Sequence, residues 1–299
     1  MPIRAGLLCV LLLACQVCGA APRHEEHRPP PLPALPTAEP GADFPKAVRV
    51  LMTGEVRIPC WLFPVCAGSV AQFRLGFPVF EIVYADGRNV LVDAPITDDY
   101  FRHGLRRLAT PDIHLPQREA YPKAAARARA LIFTHEHEDH LIGLNLLPES
   151  RVREKAWFSA EQLESSRFEW TRRLHPLRGK LNSFHFDEQG RHRVAPGVTL
   201  LRMPGHTPGS LAVHVKLQDG AEYLLIGDTS YSMALLDRHA LNPWVVSRLF
   251  AHEDRHAMPA LHAELRRVRR ERNLVIVPSH DAAYIEGMVS PDGLLTAPK

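Results

Sequence analysis

Apolar residues in this chain fall into short runs separated by polar, glycine- and proline-bearing breaks. Residues 48–56 and 77–84 are rich in branched and aromatic side chains and read as strands. Asp86-Gly87 is a hairpin signal, and Val90-Leu91-Val92-Asp93 pairs back across it. Residues 98–108 read as a helix. The stretch 110–122 is broken by prolines and reads as an irregular loop, and 124–130 as a short alanine-rich helix. Residues 130–133 form an apolar run with the look of a buried strand. Ser159, followed three residues later by Gln162, marks the start of a helix over 159–173. Residues 198–202, 211–215, 223–226 and 274–277 are further strands. Leu261, Leu265 and Val268 draw an apolar stripe along a helix over 256–272. Strands pair first by hairpins and later alternate with helices. That order predicts an α/β chain: a four-layer αββα sandwich of two mixed β-sheets flanked by helices.

Composition adds bounds. The chain has 299 residues, enough for a layered domain whose core needs no disulfides. A formal charge of +3 is too weak to argue for nucleic acid, and the basic run 266–272 reads as the solvated face of its helix. Residues 1–20 read as an export signal, with Arg4 before the apolar stretch 6–14 and small residues after it. Cleavage after Ala20 is one outcome. The other follows from Leu12-Leu13-Ala14-Cys15, which resembles a bacterial lipobox and would leave Cys15 acylated. Residues 21–47, with Pro29-Pro30-Pro31, read as a stiff proline-rich linker, and 48–299 as the folded domain. The expected location is the periplasm, the outer membrane through a lipid anchor, or the exterior. In an oxidising compartment Cys60 and Cys66 form either a small-loop disulfide or two separate buried thiols.

The chemistry begins after residue 133. The sequence Thr134-His135-Glu136-His137-Glu138-Asp139-His140 puts three imidazoles and three carboxylates at a strand's end. Burying such a cluster is costly unless a cation sits in it. His135 and His137, two apart, project the same way from an extended strand end. His135, His137, Asp139 and His140 therefore suit a loop gripping metal, and imidazole with carboxylate and no thiolate fits zinc or another divalent first-row ion. Three more strand ends carry ligand-type residues: His206 after Pro204-Gly205, Asp228 after Gly227, and His280 after Pro278-Ser279.

The order His-x-His-x-Asp-His, Gly-His, Gly-Asp, Ser-His resembles the metallo-β-lactamase superfamily across residues 48 to 285. The resemblance implies a first metal site at His135, His137 and His206, and a second at Asp139, His140 and His280. It assigns Asp228 as the carboxylate bridging two Zn²⁺ ions. Within the superfamily the chain looks most like the N-acyl homoserine lactonases. Asp228-Thr229-Ser230-Tyr231 matches their Asp-x-Ser-Tyr segment, whose tyrosine reaches the substrate carbonyl. After His140, however, this chain has Leu141-Ile142-Gly143-Leu144-Asn145, where that family has a small glycine-rich turn.

The expected activity is therefore that of a metal-dependent hydrolase acting on a small-molecule lactone or related ester through a metal-held hydroxide. Tyr231 would assist the oxyanion, and Asp139 would carry the proton to the leaving alkoxide. A thioesterase like glyoxalase II shares the ligand set and stays open. Asp228 argues against the zinc β-lactamases, and His137 and the missing flavin domain against the diiron members. A non-catalytic metal- or ligand-binding protein is the alternative from another class. The other histidines, His214 and His262 among them, read mostly as surface or loop residues.

Overall fold

The computed structural model describes residues 32–60, 72–102, 109–166, 174–242, 244, 247 and 252–296. The chain opens with three antiparallel strands, β1 (Ala47–Pro59), β2 (Gln72–Val83) and β3 (Asn89–Val92). Gly87, at φ 79°, makes the turn between β2 and β3. Next come β4 (Pro111–Ile113), helix α1 (Leu115–Arg127) and β5 (Ala128–Ile132). The single-turn helix α2 (Glu138–Leu141) follows, then α3 (Glu149–Lys155), β6 (Ala156–Ser159), α4 (Ala160–Glu164) and β7 (Asn182–Phe184). The second half carries β8 (Arg191–Ala195), β9 (Val198–Arg202), β10 (Leu211–Lys216) and β11 (Glu222–Leu225). Helices α5 (Met233–Asp237) and α6 (Ala257–Glu271), strand β12 (Leu274–Val277) and helix α7 (Ala282–Gly287) complete it.

A seven-stranded sheet has the order β4-β1-β2-β3-β5-β6-β7, and a five-stranded sheet the order β12-β11-β10-β9-β8. Both are mixed: β3, β5, β6 and β7 run parallel in the first, as do β11 and β12 in the second. The period of two explains the layering. Val90 and Val92 face a core shared with Leu200, Val213 and Leu225 of the other sheet. Leu91 and Leu131 point outward onto Tyr121, Ala124 and Leu141 of the first helical layer. Leu201, Leu224 and Ile276 point outward onto Met258, Leu261 and Leu265 of α6. Two sheets with a helical layer on each outer face make the αββα sandwich the sequence predicts.

Several local expectations need correction. The stretch 110–122, expected as a loop, holds β4 and most of α1. Pro116 stands in the first turn of α1, where its missing N–H is no loss. Pro122 lies inside the helix, and burial of Tyr121, Ala124 and Ala125 against the sheet outweighs its penalty. The helix expected over 98–108 is a 3₁₀ turn at Asp98–Arg102, and 103–108 lie outside the described residues. In the helix expected over 159–173, Ser159 and Gln162 form the capping box, but α4 ends at Glu164. Residues 167–173 lie outside the described set.

The stretch expected as a free linker is packed against the domain from residue 32 onward. Leu32 and Leu35 are buried beside Leu201, Met258 and Leu274. The Gln218 side chain fixes the segment further: its Nε2 donates to the carbonyls of Ala42 and Phe44. The leucines carry the reason: they join the apolar cluster between the second sheet and α6. Cys60 is disulfide-bonded, and Cys66 lies outside the described residues. Among the described residues no helix is long and apolar enough to cross a membrane.

Candidate metal centre

All seven ligand-type residues singled out in the sequence come together at one edge of the sandwich, in two adjoining groups. His135, His137, His206 and Asp228 form one, and Asp139, His140 and His280 the other; within each group the donor atoms lie within 4.8 Å of one another. His135 and His137 sit in the loop after β5. Asp139 and His140 lie on α2, so the expected loop closes into one helical turn. His206 follows β9, Asp228 lies on a 3₁₀ turn (Gly227–Thr229) after β11, and His280 follows β12. Gly227 takes φ 54°, and a Cβ there would stand 2.8 Å from Thr134 Cβ, so the Asp228 turn presses on the strand end below it.

The separations describe a cage. His137 Nδ1 lies 2.9 Å from His135 Nε2 and 3.1 Å from His206 Nε2. A tetrahedral zinc with nitrogens at about 2.0–2.1 Å spaces them about 3.3 Å apart. Asp228 faces both groups: its Oδ2 is 3.0 Å from His280 Nε2 and 3.4 Å from His206 Nε2, and its Oδ1 is 3.3 Å from His140 Nε2. Asp139 Oδ2 lies 3.7 Å from His280 Nε2 and 3.8 Å from His140 Nε2.

The outer nitrogens decide which way the imidazoles present their lone pairs. His140 Nδ1 is 2.9 Å from Asp93 Oδ2, His206 Nδ1 is 2.9 Å from Glu253 Oε1, and His280 Nδ1 donates to the Gly76 carbonyl at 2.7 Å. With Nδ1 committed to these acceptors, loss of the Nε2 proton leaves each Nε2 lone pair turned inward. Lone pairs converging at about 3 Å repel one another unless a cation lies between them. His140 Nε2 and Asp228 Oδ1 are buried and make no hydrogen bond. The donor set therefore fits divalent metal.

Electrostatics agree. Burial favours the neutral acid at Asp228, but His280, His140 and His135 outweigh it and hold the carboxyl well below its usual range. Burial, helped by neighbouring imidazoles, lowers His135 far below the ordinary histidine value. Tyr231 lies against His280 and His206, with ring centroids 5.1 and 5.9 Å away. Burial and then the Asp228 charge raise its phenol well above the ordinary value, so it stays a protonated donor.

A family model for the metallo-beta-lactamase superfamily matches residues 79–280. The chain belongs to the metallo-β-lactamase superfamily. No curated protein matches it. Among solved structures, this superfamily member is similar to an N-acyl homoserine lactone hydrolase with the product N-hexanoyl-L-homoserine bound at its catalytic metal centre. The TM-score is 0.64 at 15% identity, over 84% of this chain and 100% of that one. It is equally similar to a B. thuringiensis AiiA variant with N-decanoyl-L-homoserine bound at the active site, with TM-score 0.64, 15% identity, and coverage of 84% and 100%. AidC, a dizinc quorum-quenching lactonase, gives TM-score 0.52 at 11% identity over 84% of this chain and 94% of AidC. At these identities the likeness is one of fold.

Sequence reading missed the residues behind the ligands. Asp93 had one signal, its place at the end of an apolar strand before Ala94-Pro95. Glu253 had none. His262, read as a surface residue, is buried on α6, and its Nε2 donates to the Thr229 carbonyl at 2.5 Å. His214 is likewise buried, 2.9 Å from Glu222 Oε2. Gly143 explains how Leu141-Ile142-Gly143 replaces a glycine-rich turn. A Cβ at 143 would stand 2.4 Å from the Pro95 carbonyl, so one glycine lets the chain pass over the Asp93 turn.

Proposed function

We propose that this superfamily member is an exported hydrolase holding two divalent ions, most simply Zn²⁺, that opens lactones of the N-acyl homoserine type or related esters. The observation that carries the reading is Asp228 standing between two donor groups with the Tyr231 ring against both. Divalent ions bound there lower the pKa of coordinated water toward neutrality and polarise a carbonyl. Asp228 offsets the mutual repulsion of the cations. Tyr231 donates its O–H to the carbonyl oxygen as negative charge develops on it. Asp139 is partly exposed. In this reading Asp139 would take the proton given up by the attacking water and pass it to the departing alkoxide. The lactonase products bound by the similar structures support the substrate class. The export signal and either Cys15 acylation or cleavage after Ala20 complete the proposal.

The test is a substrate panel read by acid release, with metal measured on the same sample. An N-acyl homoserine lactone, a glutathione thioester and a β-lactam are the substrates. The expected result is lactone opening with roughly two metals per chain. Turnover of the thioester alone moves the reaction to thioester hydrolysis. Two metals without turnover of any substrate would sink the enzyme reading. Intact mass of the exported chain distinguishes acylated Cys15 from cleavage after Ala20.

A further inference from the structure

The His206 side chain is held from outside by a carboxylate that arrives from the loop before α6, away from the strand ends that carry the ligands. Glu253 Oε1 lies 2.9 Å from His206 Nδ1, and the side chain is 1% exposed. Among the described residues no arginine or lysine reaches that carboxylate. The Asn242 amide also donates to it. A buried anion without a full cation partner is costly, and neutral donors such as an imidazole N–H and an amide meet only part of that cost. The segment around it is fastened to the ligand turn. The Asp254 N–H donates to the Gly205 carbonyl at 2.8 Å, and Arg255 Nη1 donates to the Asn242 carbonyl at 2.9 Å.

We propose that Glu253 is the positioning residue of the first donor group: it fixes the His206 tautomer with Nε2 inward and supplies a buried negative charge that strengthens cation binding at His135, His137 and His206. It does there what Asp93 does for His140 in the second group. The proposal rests on the metal reading of the preceding section. It explains why an anion is buried beside an imidazole whose inner nitrogen already faces Asp228. The compensating charge is the cation beyond the ring, reached through it.

The experiment is a Zn²⁺ titration with chelator competition on the full chain, together with proton NMR of the downfield imidazole N–H resonances. Glu253→Gln keeps the shape and removes the charge. It is expected to weaken one of two Zn²⁺ equivalents about 10–100-fold and to leave the other within about twofold. The N–H resonance of His206 should move while that of His140 stays. Glu253→Asp keeps the charge but shortens the reach, so an intermediate loss at the same equivalent is expected. It serves as the test if the Gln variant does not fold. Glu264→Gln, on the solvent side of α6, is the control. Unchanged affinity for both equivalents in a folded Gln or Asp variant overturns the proposal while leaving the metal reading intact. A native chain that takes up no Zn²⁺ overturns both.

Discussion

Asp93 Oδ2 lies 2.9 Å from His140 Nδ1, and Asp93 itself holds a left-handed backbone at φ 63°. The same carboxylate accepts the Thr134 N–H at 2.7 Å and the Thr134 hydroxyl, tying β3 to the loop that carries His135. Asparagine tolerates that backbone and keeps an oxygen for Thr134. Asp93→Asn should therefore fold, yet hold metal at the His140 group about 10–100-fold less tightly. Chelator competition on the purified variant checks it. Unchanged affinity would mean the pairing serves folding alone.

Asp228→Ala removes the carboxylate that faces both groups. Metal content should fall together with hydrolytic rate, rather than rate alone. Elemental analysis beside an activity assay decides, and a variant with full metal and full rate would remove Asp228 from the bridging position.

Tyr231→Phe should lower turnover about 100–1000-fold, in the range of a lost oxyanion donor, with metal content unchanged. The ring contacts to His206 and His280 survive in phenylalanine, so the thermal midpoint should stay close to that of the native chain. Equal turnover in the two proteins would leave Tyr231 a packing residue.

The two donor groups should load metal with different pH dependence. Burial favours neutral His140 and His280, but Asp228 acts on both, with Asp93 also on His140, and raises both above the ordinary value of 6.5. His135 shifts the other way. A cation must displace whatever protons its ligands carry. Affinity at the His140–His280 group should thus rise with pH through the range above 6.5, with proton release, while at His135 proton competition is already gone there. Calorimetric Zn²⁺ titrations at about pH 6 and about pH 8 in buffers of different ionisation enthalpy count the protons. Equal proton release at both groups would contradict the assignment.

Leu35→Ala should destabilise the fold by about 2 kcal/mol, the low end for a buried leucine, because the side chain lies at the rim of its cluster. A free linker residue would show no change. Denaturant unfolding of the two proteins makes the comparison.

These tests follow the line between what residue order shows and what it hides. The strands 198–202 and 274–277 were legible to the residue because both are short apolar runs with abrupt ends. Helix α1 was not: its prolines argue against it locally, and only burial of Tyr121, Ala124 and Ala125 reverses that. Strand β7 was hidden by its three-residue length, and β8, Arg-His-Arg-Val-Ala, by the polarity of an edge strand. The seven ligand-type residues stood out because several imidazoles follow apolar runs. Glu253 did not: its His-Glu-x-x-His order follows no apolar strand, and nothing in it points to a histidine 47 positions away.

The seven donors are shared unequally: four follow β5 of the larger sheet, and three follow β9, β11 and β12 of the smaller. An ion held between them is consequently a rivet through both layers, and grip on the ion and grip between the sheets draw on the same free energy. Substitutions deep in the interlayer packing, far from any substrate, would then be felt as looser metal before they are felt as unfolding.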